Sequence, residues 1–423
     1  MITTKNYQMR KIILILITLI IAQGAIFGQD IMTLSGKVID ASSKRPLGFA
    51  SIYMNSTNIS NVSNMDGVFS LKVPTANQND TLMISYLGYR SVKVAVKDFR
   101  GGEEMTIAME SSVYTMDPII VRPQDAASFM KMAITNIDKN YSQKPMQMTA
   151  FYREMIRKRN TYVSISEAVL DVVKSSYRGY RVDQVGIYKA RGNHDQNRVD
   201  TLMVKFQGGP NSALEIDVVK SPFLWTDLID MDNIYDFKFE TPVTIDDRFF
   251  YVIDFNQKPG LDDMYFRGKA YIDSETMAVG RMEFNMNVEG NSTKANSLFI
   301  RKKPANLKMD IVSARYIVNY RKSEGIWLFD YSRTELVLNT RWEKKWFSSN
   351  SYTITSELAV TDVSESVERR IPSEDRVRQS DIISARVNDY TDENFWEDYN
   401  VIEPEESIER VINRIVRQLR RRE

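Results

Sequence analysis

The chain holds one histidine, His194, and no cysteine. Disulfides, thiolate metal sites, iron–sulfur clusters and a cysteine nucleophile are therefore excluded. His194 lies in Arg191–Gly192–Asn193–His194–Asp195–Gln196–Asn197, read as a polar stretch between strands. A catalytic base also needs a nucleophile in reach and an orienting group. No nucleophile elbow completes the set, so a loop histidine is the plainer reading. Carboxylates could bind calcium or hydrolyse glycosides without histidine. Asp227, Asp230, Asp232 and Asp236 are close together, but they lack the Asp-x-Asp-x-Asp-Gly spacing of a calcium loop. Asp246–Asp247 and Asp262–Asp263 are turn-like pairs expected in solvent. Hydrolysis needs two carboxylates about 5–9 Å apart, and the sequence singles out no pair. No phosphate-binding Gly-x-x-x-x-Gly-Lys-Ser/Thr loop occurs, nor a dinucleotide fingerprint. No residue is assigned a catalytic, cofactor-binding or metal-ligating role, and no cofactor is expected.

Binding chemistry is equally sparse. Basic clusters at Arg157–Lys158–Arg159 and Arg301–Lys302–Lys303 are short, and Lys+Arg number 56 against 55 for Asp+Glu. That balance provides no field for nucleic acid. Phe223, Trp225, Trp327, Trp342, Trp346 and Phe347 read as core aromatics, with an exposed glycan or peptide platform as the alternative.

The elements that must carry these residues begin after an address. The 423 residues suffice for two or three domains, and 43% hydrophobic with 26% charged residues is a globular balance. Lys5, Arg10 and Lys11 precede the apolar run Ile12–Ala22, which describes a secretory signal peptide over residues 1–28. The run would span about 16 Å as a helix, too short for a bilayer. Cleavage is expected after Gly28, with Ala25 as another boundary. Its removal takes the formal charge from +1 to −2.

Residues 29–111 read as short strands between turns, a small Greek-key sandwich. Leu34, Gly36 and Val38 alternate. Asn64–Met65–Asp66–Gly67 signals a turn in which Asp66 and Gly67 both accept positive φ. Four blocks, Ser35–Asp40, Pro46–Ile52, Asn64–Leu71 and Ile84–Tyr89, resemble the carboxypeptidase regulatory-like domain, a transthyretin-like sandwich. The resemblance implies a non-catalytic accessory module in secreted and outer-membrane proteins of the Bacteroidetes.

Residues 112–145 read as a linker. Ser112–Val121 reads as a linking strand. It also resembles the hydrophobic segment that follows a carboxypeptidase regulatory-like module in sugar-importing outer-membrane transporters, which implies a contact for an energy-coupling protein as the alternative. A helix capped by Asp125 carries Ala126, Phe129, Met130, Ala133, Ile134 and Ile137 on one stripe. Residues 146–400 then give long strands. Met148–Arg159 and Tyr162–Tyr177 form a hairpin about Asn160. Phe249–Asn256, Tyr265–Ile272, Met277–Asn287, Met309–Tyr320, Gly325–Leu338 and Ser351–Val360 follow. Asn211–Lys220 and Pro222–Met231 could each hold a short helix. Strands of this length imply a twisted or curved antiparallel sheet with one side wet. Finally, residues 401–423 form an amphipathic helix with Ile408, Val411, Ile412, Ile415, Val416 and Leu419 on one face. It docks on the sheet, or meets an anionic membrane surface through Arg417 and Arg420–Arg422.

Phe250–Asp254 and the Gly268–Thr276 hairpin are similar to elements of periplasmic lipoprotein carriers, which implies a curved sheet around helices. Ala133–Tyr141, Thr149–Glu154 and Phe395–Pro404 resemble uncharacterised Bacteroidetes envelope proteins that carry the same N-terminal module. The fold expected is mainly β: a small Greek-key β-sandwich followed by a large curved antiparallel-sheet α+β domain. The function expected is non-enzymatic binding or assembly in the Gram-negative envelope, in the periplasm near the outer membrane. Its partner would be an envelope protein or glycan. A carrier of lipid or another hydrophobic ligand is the alternative, and a carbohydrate hydrolase a more distant one.

Overall fold

The computed structural model describes residues 30–112, 125–179, 181–194, 205–206, 209–220, 226, 228–303, 305–343, 349–365, 370–379, 381, 383–386, 399–405 and 408. The expected signal peptide, nearly all of the linking strand, Asp227, Phe223, Trp225, Trp346, Phe347 and the C-terminal helix beyond Ile408 lie outside the described residues.

The chain is mainly β, a small sandwich followed by a larger sheet with helices. The sandwich holds β1 (Ile31–Asp40), β2 (Ser51–Met54), β3 (Ser60–Val62), β4 (Val68–Pro74), β5 (Thr81–Ser85), β6 (Val92–Ala95) and β7 (Met105–Met109). They form two sheets, ordered β4-β1-β7 and β3-β2-β5-β6. Alternation puts Leu34 and Val38 of β1 and Phe69, Leu71 and Val73 of β4 on the inner face. There they share one core with Ile52, Leu82 and Ile84 of the other sheet. In the turn before β4 only Gly67 is left-handed, with φ of 76°. A Cβ there would stand 2.4 Å from the Val38 carbonyl oxygen. Asp66 does not adopt the expected positive φ. Its N–H donates instead to Asn64 Oδ1 at 3.0 Å, and Val68 N–H donates to the same oxygen at 2.9 Å. The Asn64 side chain thus closes the turn, and this removes the need for a second left-handed residue.

Helix α1 (Ala126–Thr135) starts as expected, with Asp125 accepting the N–H groups of Ala127 and Ser128. A short α2 (Ile137–Asn140) follows. The large sheet opens with β8 (Met146–Lys158), β9 (Thr161–Lys174) and β10 (Gln184–His194). After β11 (Lys205–Phe206) come α3 (Gly209–Glu215) and α4 (Met231–Ile234). Then run β12 (Tyr235–Phe239), β13 (Val243–Ile245), β14 (Arg248–Gln257), β15 (Phe266–Asp273) and β16 (Val279–Met286). Helix α5 (Ser292–Phe299) and β17 (Ile300–Lys302) lead to the long strands β18 (Leu307–Ser323), β19 (Ile326–Trp342) and β20 (Asn350–Glu365), before α6 (Ile383–Arg386). The order is β10-β9-β8-β20-β19-β18-β16-β15-β14-β12, with β13 also on β14 and β11 paired apart with β17. Each pair within this large sheet is antiparallel.

Three expectations change. First, Arg191–His194, read as the start of a polar stretch between strands, are instead the end of strand β10, with the His194 backbone opposite Ser164. An edge strand tolerates charge because one side of its ladder is open. Second, the sheet is not wet on one side throughout. The run Val163–Leu170 of β9 is buried without alternation, because Ala168 and Leu170 join the helix-facing core while Ile165 on the other face packs with Met155 of β8 and Ile408 of the C-terminal segment. The sandwich covers neighbouring strands. Phe49 of the sandwich stacks on Tyr331 at 5.9 Å, and Val62 joins Phe151, Tyr331, Ala359 and Ile402 in a small core between the two units. Third, Asp246 is not a solvated turn residue. Asp246 and Asp247 do form the left-handed tip between β13 and β14, with φ of 54° and 55°. That tip enters the sandwich: Asp246 accepts from Tyr53 Oη, and Asp247 Oδ1 accepts from Ser91 N–H at 3.0 Å.

Candidate ligand-binding site

Even-numbered residues of β9 face the helices, since Leu170 and Val172 lie in that core. The same register puts Lys174, the last residue of the strand, into it, with its side chain fully buried. A buried ammonium requires compensation. The loop returning to β10 supplies Asp183, whose Oδ2 is 2.8 Å from Lys174 Nζ. The turn after α3 supplies Asp217, with Oδ2 at 2.5 Å. The rings of Phe329 and Tyr177 lie 5.0 and 5.5 Å from the ammonium. Tyr320 Oη donates to Asp217 Oδ1 at 2.7 Å, and Tyr177 Oη donates to Oδ2 at 3.0 Å. Lys220 closes the cluster by bonding Asp183 and Ser175 Oγ.

The charges set one another. Burial pushes the Lys174 ammonium down, but Asp183 and Asp217 outweigh it and hold the group above the ordinary lysine value. Burial likewise pushes Asp183 up, and Lys174 with Lys220 brings it below the usual carboxylate range. Lys220 falls below the lysine value through desolvation and then the charge of Lys174, with Asp183 opposing both. Burial raises the Tyr177 and Tyr320 hydroxyls well above the ordinary phenol. Two cations thus meet two anions, and the phenols stay neutral donors. The cluster is a polar floor. It contains no nucleophile–base pair.

A cavity of about 450 Å³ opens in front of this floor. Asp183 and Lys220 form its base, and Leu214 and Val377 form apolar wall. Arg181, Val182 and Glu215 stand at its exposed rim.

The residues weighed for chemistry lie elsewhere. Asp232 pairs with Lys131, and Asp236 with Lys258 at 3.8 Å, on the surface. Asp263 meets Lys294 at 3.4 Å. Trp327 is buried, its indole N–H donating to Thr276 Oγ1 at 3.2 Å, and Trp342 packs against the main core. Among the described residues no group of three or more His, Asp or Glu side chains could hold a metal ion. Sequence reading missed the Lys174 cluster. Its one legible signal is a lysine in register with the apolar face of Val169–Lys174. Asp183 and Asp217 arrive from loops whose positions only the fold determines.

Residues 34–121 match the family described as a CarboxypepD_reg-like domain. That agrees with the sandwich observed. No curated protein matches the chain. Among solved structures, a DUF1329 family protein from Desulfovibrio piger is 14% identical, covering 58% of this chain and 96% of its own, with a TM-score of 0.26. A LolA superfamily protein from Nitrosomonas europaea is 11% identical over 60% of this chain and 99% of its own, with a TM-score of 0.24. MucB is 10% identical over 56% and 98%, with a TM-score of 0.20. Likeness at this level carries no argument about function.

Proposed function

We propose that this protein is a non-catalytic binding or assembly component of the Gram-negative cell envelope, exported by its N-terminal signal peptide. One observation carries the choice of assembly over carriage. A carrier must leave the helix-facing side of its sheet open for an acyl chain. Here Ile253, Met282, Phe284 and Met286 are each no more than 4% exposed. They pack in one core with α1 and its neighbours. Further support comes from the CarboxypepD_reg-like match over residues 34–121, which joins an accessory module to the sheet. Among the described residues no helix is long and apolar enough to cross a membrane.

Native mass spectrometry of the protein purified from its own envelope tests the reading. The expected result is a chain beginning near Gln29 that holds a protein partner and no lipid. A stoichiometric lipid mass would overturn it in favour of the carrier, and a full-length chain in the cytosol would overturn export.

A further inference from the structure

We infer that the cavity over the Lys174 cluster binds a small zwitterion of dipeptide size with apolar side chains. At about 450 Å³ it falls within the roughly 300–1,000 Å³ of ordinary ligand pockets. Its charged groups divide in two. Lys220 and Asp183 are committed to each other, to Lys174 and to Ser175. Two others remain for a ligand. Arg181 has no side-chain hydrogen bond or ion pair among the described residues, and its guanidinium offers the donor fork that suits a carboxylate. Glu215 uses Oε1 to accept from Gln379 Nε2, which leaves Oε2 as a free acceptor for an ammonium.

The remaining charges are thus one of each sign. A simple anion would satisfy Arg181 and meet repulsion from Glu215, and a simple cation would do the reverse. A neutral sugar would pair neither charge with its opposite, and among the described residues that line the cavity none is an aromatic ring to stack on it. A zwitterion answers both, with Leu214, Val377 and the 79% exposed Val182 left for its apolar side chains. The buried cluster has its own role here. With Lys174 neutralised, the floor adds no net charge that would bias the site toward one end of the ligand. This inference stands apart from the assembly role, which is decided by mass and N-terminal sequence and not by the cavity.

The test is calorimetric titration of the mature chain with the dipeptide Leu-Leu. Its N-acetylated, C-amidated form and N-acetylglucosamine serve as competing probes. Saturable one-to-one binding of free Leu-Leu is expected, weakened about tenfold or more by blocking both ends. Arg181→Gln and Glu215→Gln should each produce a similar loss. Both side chains are exposed, so unchanged melting curves will separate lost binding from lost fold. No saturable binding at millimolar Leu-Leu, equal affinity for the blocked peptide, preference for the sugar, or folded variants that bind as well as the parent would each overturn the assignment.

Discussion

Glu154 lies on the helix-facing side of β8 between Ser166 of β9 and Ser356 of β20. Its Oε2 accepts from Tyr152 Oη at 3.2 Å. Burial lifts its carboxyl from 4.5 to about 7, against the small opposing effect of that hydrogen bond. The linkage sign follows from a folded value above the unfolded one. Below about pH 4.5 both states are protonated and nothing is lost. Between there and about 7 the unfolded chain ionises first, so stability falls as pH rises. Glu154→Gln should therefore raise stability by about 1–3 kcal/mol at pH 8 and leave it unchanged at pH 4. Chemical denaturation at the two pH values reads this directly, and an equal effect at both would reject it. At this scale the sequence was legible where a residue acts on near neighbours, as at the Asp125 cap and the Asn64–Gly67 turn. It was silent at Lys174 and Glu154 and misplaced Asp246 in solvent, because their surroundings come from elements far apart in the chain.

At the scale of elements, β8, β9 and β10 carry a charged row on the face that meets the sandwich. Arg153 Nε donates to Glu167 Oε1 at 2.6 Å, and Arg191 Nε donates to Oε2 at 2.8 Å. Arg153 also donates to the Ile402 carbonyl at 2.6 Å, which ties the C-terminal segment to the sheet. Burial would raise Glu167, but the two arginines bring it below its ordinary value. Removing its charge leaves a buried guanidinium without its counter-ion. Glu167→Gln should cost about 3–5 kcal/mol at pH 7 and loosen the segment at Tyr399–Ile402. Thermal melting with hydrogen exchange over that segment checks this, and a loss below 1 kcal/mol would show the row to be dispensable. The long strands and their hairpins were readable from alternation. β10 was not, because its ladder shifts between Ile187 and Lys189 and its charged residues mask the period. β9 kept a strand pattern, but its burial on both faces depended on a C-terminal segment that lies far later in the chain.

For the whole molecule, the deciding contact is the one that docks sandwich on sheet. The sandwich has its own complete core, so it is expected to fold alone, with docking as a separable step. The docking surface holds carboxylates beside two arginines: Arg321 lies 5.1 Å over the Tyr53 ring, and Arg333, which is paired with Glu357, lies 4.8 Å over the Phe49 ring. Asp246 faces Tyr53, Ser91, Asp247 and Arg321, and Asp330 faces Ser51 and Arg321. Burial raises both above the ordinary carboxylate value, and Arg321 only partly offsets it. Glu405, beside the docked tail, is also raised, by burial and then by Glu357. All three shifts have the same sign. Each carboxyl is easier to ionise when the units separate, so docking is strongest below the ordinary carboxylate range and weakens as pH climbs through the raised values. Glu167 works in the opposite sense, but its effect falls below its ordinary 4.5, outside the window from pH 5 to 8. Calorimetry across that window should show one cooperative transition at pH 5 separating into two at pH 8. Asp330→Asn should keep them together at pH 8, because the amide still accepts from Arg321 and carries no charge to bury. Transitions that merge as pH rises, or that separate equally in Asp330→Asn, would show that these carboxylates do not govern docking.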